Sequence, residues 1–200
     1  MPRLVLASAS PRRSQLLRDL GLIFTLAPTQ AEEPAPTPLD GAHPHLYVER
    51  LARIKATACS EPGLVIAADT VVVFENEILN KPRDAEDAFA MLCRLRGQTH
   101  RVLTGVCLRN DDQFHVEHEA THVTFGYVSD DWIRTYVQTG EPLDKAGAYG
   151  AQGRGSLLVS RIEGDYFNVV GLPIFRLSKM LAAQGIDISR EWTANSEVPA

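Results

Sequence analysis

The stretch Leu64-Val65-Ile66-Ala67-Ala68-Asp69-Thr70-Val71-Val72-Val73-Phe74 decides the fold of this 200-residue chain. Its first five residues are typical of a buried strand, and residues 71–74 continue that strand after Asp69 and Thr70. A carboxylate that ends a buried strand stands at the carboxyl edge of the sheet, where ligand sites form in α/β proteins. Asp69 could position a metal ion or a water molecule there. The alternative is a helix or turn cap, which the β-branched residues after Thr70 disfavour.

Apolar strands and amphipathic helices alternate on both sides of this segment, which predicts an α/β (mixed α+β) protein with a mixed sheet. Residues 4–7 form a second buried strand, followed by a helix with Ser10 as N-cap and Pro11 at its first position. The pattern predicts further helices over residues 46–59, 84–96, 129–140 and 173–184, and a hairpin of strands 101–108 and 115–125 around residues 110–112.

The domain organisation is predicted to be simple. Residues 34–44 contain four prolines and are interpreted as a connecting loop. Neither an internal repeat nor a clean linker divides the chain, so residues 1–188 are expected to form a single domain and residues 189–200 a mobile tail.

Composition excludes several classes of protein. A net charge of −5 disfavours a nucleic-acid-coating role, because phosphate neutralisation needs a basic face. No run approaches the roughly 18 apolar residues of a membrane helix, and the apolar residues 4–7 are too few for a signal-peptide core. Three cysteines without CxxC spacing suit a reducing compartment and are interpreted as buried thiols. We therefore expect a soluble, cytoplasmic protein that binds neither membrane nor nucleic acid.

Two further segments carry polar groups that core packing does not require. In residues 8–13, Ser-Ala-Ser-Pro-Arg-Arg, a helix N-terminus coincides with two adjacent arginines, which fits an anionic phosphate as well as a solvated helix start. Residues 143–155 contain four glycines, a backbone that can approach a flat ligand closely. Neither a GxxxxGK[ST] phosphate loop nor a GxSxG elbow occurs, so a Walker-type NTPase and a serine hydrolase lack support.

Isolated lysines and histidines leave alternatives open. Lys55 and Lys81 could face phosphate or be ordinary surface lysines. His115, His118 and His122 could suggest zinc, but no Cys or Asp completes a ligand set, and a polar strand face is the favoured interpretation.

Six separated motifs together resemble the Maf family of nucleoside triphosphate pyrophosphatases. In chain order they are residues 6–13 (LASASPRR), 50–56 (RLARIKA), 68–72 (ADTVV), 81–84 (KPRD), 144–153 (DKAGAYGAQG) and 171–173 (GLP). The resemblance implies an elongated mixed sheet with flanking helices and two lobes around a nucleotide cleft, similar to the inosine triphosphatase architecture.

The resemblance also implies an activity, hydrolysis between the α- and β-phosphates with a divalent metal cation, Mg or Mn. Asp69 would be the proton acceptor and a metal-associated carboxylate. Glu32 and Glu33 lie where the family often has acidic residues, and Glu33 is taken as the further metal ligand. Four residues would bind phosphate: Ser8, Arg13, Lys55 and Lys81.

Within the family, the residues Arg12, Thr70 and Gln152 match the branch that acts on dTTP and UTP. Arg12 is also a candidate phosphate ligand. Members directed to 7-methyl-GTP tend to carry a bulky residue, Gln and Glu at these positions, and remain the alternative. A nucleotide-binding regulator of septation without turnover is a second alternative. We expect a nucleoside triphosphate as partner, and a homodimer is possible.

Overall fold

The computed structural model describes residues 2–194, and its centre is a seven-stranded mixed sheet with the strand order β2-β1-β3-β5-β6-β7, in which β4 also pairs with β3. β1 runs parallel to β2 and to β3, and the other pairings are antiparallel. The predicted fold class is confirmed. The strands are β1 (Leu4–Leu6), β2 (Phe24–Leu26), β3 (Leu64–Phe74), β4 (Glu77–Leu79), β5 (Thr99–Asn110), β6 (Gln113–Phe125) and β7 (Val159–Glu163).

Three of the helices begin at the polar residues that start the predicted helices. Ser10, Asp84 and Ser129 each cap a helix by accepting a hydrogen bond from the amide three residues further on. Among residues 2–194, no helix combines the length and apolarity that crossing a membrane requires. The helices are α1 (Pro11–Asp19), α2 (Pro38–Ala42), α3 (Pro44–Ala58), α4 (Ala85–Leu95), α5 (Asp130–Gln138), α6 (Tyr166–Val170), α7 (Ile174–Ala183) and α8 (Ile188–Ala194).

Two segments that were predicted to be a loop and a tail contain helices. The proline-rich residues 34–44 contain α2, so their interpretation as a connecting loop was wrong for that part. Thr37 and Asp40 form a reciprocal capping box that begins this helix. Of the predicted tail, residues 189–194 belong to α8, and residues 195–200 lie outside the described part of the chain.

β3 is longer than its neighbours on one side, and this difference opens a gap in the sheet. β1 pairs with β3 only over residues 64–66, and β4 pairs with it over residues 72–74. On the opposite side, β5 accompanies β3 without interruption over residues 65–73. Asp69 therefore lies inside a continuous strand, and its predicted place at a strand end was wrong. Asp69 nevertheless lies beside an unpaired edge of β3, because β1 stops early.

The two faces of β3 have different surroundings because side chains alternate along a strand. Odd-numbered residues face α3, which approaches the sheet closely at Gly105; a Cβ atom on Gly105 would lie 2.3 Å from the main-chain oxygen of Val48. Even-numbered residues face two apolar clusters. One contains Leu64, Ile66 and Ala68 beside α1 and α7, and the other contains Val72 beside α4 and α5. Thr70 lies between these clusters.

Candidate active site

A cleft of about 360 Å³ opens at the gap beside β3, within the size range of small-ligand sites. Most of the predicted site residues line it: Ser8, Arg12, Arg13, Glu33, Lys55, Asp69, Thr70 and Lys81. Glu32 and Gln152 do not belong to this lining and are exposed. These eight residues come from four separate sequence motifs and from the segment after β2, which supplies Glu33.

Lys55 links the two carboxylates that were predicted to be metal ligands. Its Nζ donates to Oδ1 of Asp69 and lies 3.0 Å from Oε1 of Glu33. The Lys55 and Asp69 side chains are largely buried, whereas Glu33 is half exposed. Lys55 reaches this point because α3 lies across the odd-numbered face of β3. The cluster combines two carboxylates and a cation at one wall of the cleft.

Arg13 lies at the base of the cleft and is only 9% exposed. Its Nε donates to the main-chain oxygen of Gly171 at 2.7 Å, Nη1 to Ser8 Oγ at 3.2 Å and Nη2 to Thr70 Oγ1 at 3.0 Å. Burial lowers the pKa of this guanidinium, and the nearby Asp69 carboxylate opposes that shift. Arg13 therefore ties α1 to β3 and to the segment before α7, in addition to placing positive charge under the cleft.

The mouth of the cleft carries the more accessible charges. Arg12 is half-buried, Lys81 is exposed, and Asp144 was not singled out from the sequence although it lies in a recognised motif. Partial burial raises the pKa of Asp144, but the hydrogen bond and the charge of Lys145 outweigh it and lower the pKa overall. In total, four cationic and three acidic side chains line the cleft, in a chain with an acidic net charge.

Apolar side chains line the other part of the cleft, and sequence analysis assigned them no role there. Val72 and Val102 are cross-strand partners on β3 and β5, and both join the apolar cluster that includes Tyr149. Ala146 and Val169 complete this wall. Their only sequence signal was ordinary hydrophobicity, which core residues share. An apolar wall next to a cationic one suits a ligand that joins a planar ring to an anionic tail.

The glycine-rich residues 143–155 form a compact segment beside the cleft. They contain 3₁₀ turns, and their glycines permit close packing: a Cβ on Gly147 would meet Val72 Cγ2 at 2.9 Å, and one on Gly155 would meet Gly150 O at 2.4 Å. Glu141 holds the segment, accepting hydrogen bonds from Tyr136 Oη and Gly155 N, both at 3.0 Å. This packing leaves Gln152 exposed beyond the cleft lining.

Two of the three histidines of β6 contact carboxylates. His118 Nδ1 lies 2.6 Å from Glu49 Oε1, and His115 Nε2 lies 2.9 Å from Glu117 Oε1, as expected of a polar strand face. The cysteines are free thiols; Cys59 and Cys107 are buried, and Cys93 is partly buried.

Divalent cations fit the donor set at Lys55. Within residues 2–194, no three His, Cys, Asp or Glu side chains converge as a ligand group. Mg²⁺, however, is commonly bound by one or two carboxylates together with substrate phosphates and water. Asp69 and Glu33 already converge on one positive charge, the Lys55 ammonium. Two carboxylates that share a cation in this way match the hard-oxygen chemistry that Mg²⁺ and Mn²⁺ require.

The fold and the cleft define a class of protein: a mixed-sheet α/β protein with a cleft at an interrupted sheet edge, lined by four cationic side chains on one side and apolar side chains on the other. The chain belongs to the Maf family, since the family profile described as Maf-like protein matches residues 3–184. Its relatives include the dTTP/UTP pyrophosphatases of Syntrophomonas wolfei (49% identical, covering 92% of this chain and 99% of the relative) and of Moorella thermoacetica (50% identical, 94% and 98%). The dTTP/UTP pyrophosphatase of Symbiobacterium thermophilum is 49% identical over 94% of this chain and 97% of its own.

Proposed function

We propose that this protein is a pyrophosphatase that hydrolyses dTTP and UTP to the nucleoside monophosphate and pyrophosphate. The observation that carries the proposal is the composition of the cleft, in which Asp69 and Lys55 lie beside two arginines on one side and an apolar wall lies on the other. The relatives named as dTTP/UTP pyrophosphatases support the choice of reaction and of substrate.

In the proposed reaction, the triphosphate lies against Arg12, Arg13 and Lys81, and the base lies against Val72 and Tyr149. A water molecule attacks phosphorus at the α–β anhydride and loses its proton to the Asp69 carboxylate, and the bridging P–O bond breaks. The cations stabilise the negative charge that develops on the phosphoryl oxygens. A divalent cation held by Asp69 and Glu33 would supply further charge neutralisation at these oxygens.

Lys55 has a positioning role in this mechanism. It contacts Asp69 and Glu33 together, so it fixes the two carboxylates relative to each other before substrate binds. Its remaining ammonium proton is available to a phosphate oxygen, because an ammonium group has three donors.

The proposal is tested by incubating the purified chain with dTTP, UTP, CTP, GTP and 7-methyl-GTP, each with Mg²⁺ and with Mn²⁺. The expected products from dTTP and UTP are the monophosphate and pyrophosphate. A diphosphate plus orthophosphate would place the cleavage at the β–γ bond and refute the proposed reaction. Nucleotide binding without turnover would favour the regulator, and preference for 7-methyl-GTP would assign the protein to the other branch.

A further inference from the structure

A hydrogen-bond chain runs from the cleft into the core at Thr70. Thr70 and Thr104 are cross-strand partners, and their Oγ1 atoms lie 2.9 Å apart. Thr104 is fully buried, and its Oγ1 donates to the main-chain oxygen of Asn168 at 3.0 Å. A carbonyl oxygen can only accept, so Thr104 donates its only hydroxyl proton there. Thr104 must therefore accept a hydrogen bond from Thr70.

Arg13 fixes the other side of the Thr70 hydroxyl. Its Nη2 donates to Thr70 Oγ1 at 3.0 Å, and a guanidinium has no acceptor. The Thr70 hydroxyl thus uses its proton for Thr104 and one lone pair for Arg13. One lone pair remains, and Thr70 lines the cleft. Thr70 can therefore only accept a hydrogen bond from a ligand.

The Ser8 hydroxyl has the opposite hydrogen-bonding role, because it can donate to a ligand. Its Oγ accepts from the Ser10 amide and from Arg13 Nη1, both at 3.2 Å, and these bonds occupy both lone pairs. Its proton remains available, which suits a phosphate oxygen. Arg13 thus makes one hydroxyl of the cleft a donor and the other an acceptor.

The buried end of the chain is held rigidly. Asn168 is fully buried, and its Nδ2 donates to the main-chain oxygen of Val102 and to Thr121 Oγ1, both at 2.9 Å. Thr121 Oγ1 also accepts from the Asp165 amide at 3.1 Å and donates to the Asp165 carbonyl at 3.0 Å. These contacts fix α6 against β5 and β6, so the Asn168 carbonyl cannot turn away from Thr104.

We propose that Thr104 is a positioning residue for base selection, which keeps Thr70 an acceptor for the N3–H group of uracil and thymine. The inference rests on the proposed function and deepens it. Val72, Val102 and Tyr149 lie on the same face of the sheet as Thr70, which places the base beside this hydroxyl. Cytosine carries an unprotonated N3, which would oppose the Thr70 lone pair. Because Thr70 accepts from N3–H in this arrangement, the exposed Gln152 would donate its side-chain N–H to a pyrimidine carbonyl instead.

The test compares Thr104→Val, which keeps the shape but removes the hydroxyl, with Thr104→Ser, which keeps the hydroxyl. In Thr104→Val, the Thr70 proton is released and can turn towards cytosine N3. We expect kcat/KM for UTP to fall about tenfold, with that for CTP unchanged or raised, so the UTP/CTP ratio falls at least about tenfold. Thr104→Ser should retain the wild-type ratio. Wild-type enzyme should also use 3-methyl-UTP, which lacks N3–H, at least about tenfold less well than UTP.

A matched control is Thr99→Val, which breaks a second threonine pair on the same strand. The Thr99 and Thr124 Oγ1 atoms lie 2.8 Å apart on an exposed part of β5 and β6, away from the cleft. This variant should keep both the rate and the ratio. The control shows whether breaking any cross-strand threonine pair changes the kinetics, or only breaking the Thr70–Thr104 pair.

Several outcomes would overturn the proposal. Equal losses for UTP and CTP in Thr104→Val would show a merely structural role for Thr104. Equal use of UTP and 3-methyl-UTP by the wild type would show that N3–H is not recognised, and this result does not depend on any variant folding. If the wild type releases pyrophosphate from no pyrimidine nucleotide, the proposed function fails. Calorimetric binding of UMP against CMP to the wild type and to Thr104→Val then decides the inference, and an unchanged UMP/CMP affinity ratio in the variant would contradict it.

Discussion

Lys55 on α3 donates a hydrogen bond through Nζ to Oδ1 of Asp69 in the middle of β3. The contact joins two residues 14 positions apart and places a cation against the carboxylate proposed as proton acceptor. It depends on the close approach of α3 to the sheet, which the missing side chain of Gly105 permits. A buried carboxylate next to a lysine is common in structural ion pairs as well as in active sites. The location in the cleft wall distinguishes this pair and makes it testable.

Replacing Asp69 by Asn should leave nucleotide binding intact while turnover falls at least about a hundredfold, because an amide cannot accept the proton of the attacking water. The comparison is kcat from pyrophosphate release against the dissociation constant from calorimetry. Asp112→Asn, in the exposed β5–β6 turn, is the matched control. A variant at position 69 with most of the wild-type kcat would remove Asp69 from the mechanism.

Lys81→Ala should lower kcat/KM for UTP by about tenfold, since an ammonium at the cleft mouth contributes to phosphate binding in a partly hydrated place. Because Lys81 is exposed, the loss should shrink as ionic strength rises. The measurement is kcat/KM at low and high salt. Lys179→Ala, an exposed lysine on α7 outside the cleft, should behave as wild type. Indistinguishable kinetics for the two variants would make Lys81 an ordinary surface lysine.

Gln152→Glu should depress kcat/KM for dTTP and UTP by roughly tenfold or more, and should improve the relative use of GTP and 7-methyl-GTP. An amide can donate to a pyrimidine carbonyl, whereas a carboxylate can only accept and would repel it. The same carboxylate suits the N1–H and N2–H₂ donors of guanine. Measuring kcat/KM for all four nucleotides on both proteins tests this, and an unchanged ratio would show that Gln152 does not contact the base.

Glu141→Ala should raise KM for UTP with a smaller effect on kcat, because the carboxylate ties the glycine-rich segment to Tyr136 and to the Gly155 amide. Loss of these hydrogen bonds loosens the segment that carries Tyr149 and Gln152, because each partly buried group left unpaired costs about 1–3 kcal/mol of stability. Glu163→Ala removes an exposed ion pair with Arg161 and serves as the control. If kcat alone fell, the segment would act on chemistry and not on binding.

The stability of the fold should depend on pH through His100. This residue is buried against Phe125 and Tyr149, and burial lowers its pKa from 6.5 to about 4. Between these two values the unfolded chain binds a proton that the folded chain does not, so the free energy of unfolding falls as pH falls. From pH 7 to pH 5, the wild type should lose about 2 kcal/mol more than His100→Leu. Urea unfolding of both proteins at the two pH values measures this difference, and parallel losses would contradict it.

The sequence by itself determined those elements that have strong local signals. Ser10, Asp84 and Ser129 cap helices through their own side chains, and the apolar residues 64–68 form a strand under any packing that buries them. The six motifs were also sufficient to indicate the family, and the profile match over residues 3–184 confirmed it.

Only the tertiary structure decided where the cleft opens and which groups meet in it. Asp69 was expected at a strand end, but it borders the cleft because β1 stops early, and β1 lies more than 60 residues away in the chain. The Thr70–Thr104 contact depends on strand register, and the glycines of residues 143–155 serve close packing that no local pattern records. Whether a hydroxyl donates or accepts a hydrogen bond depends on partners that are distant in sequence. The acceptor role of Thr70 therefore follows from Arg13, Thr104 and Asn168 together.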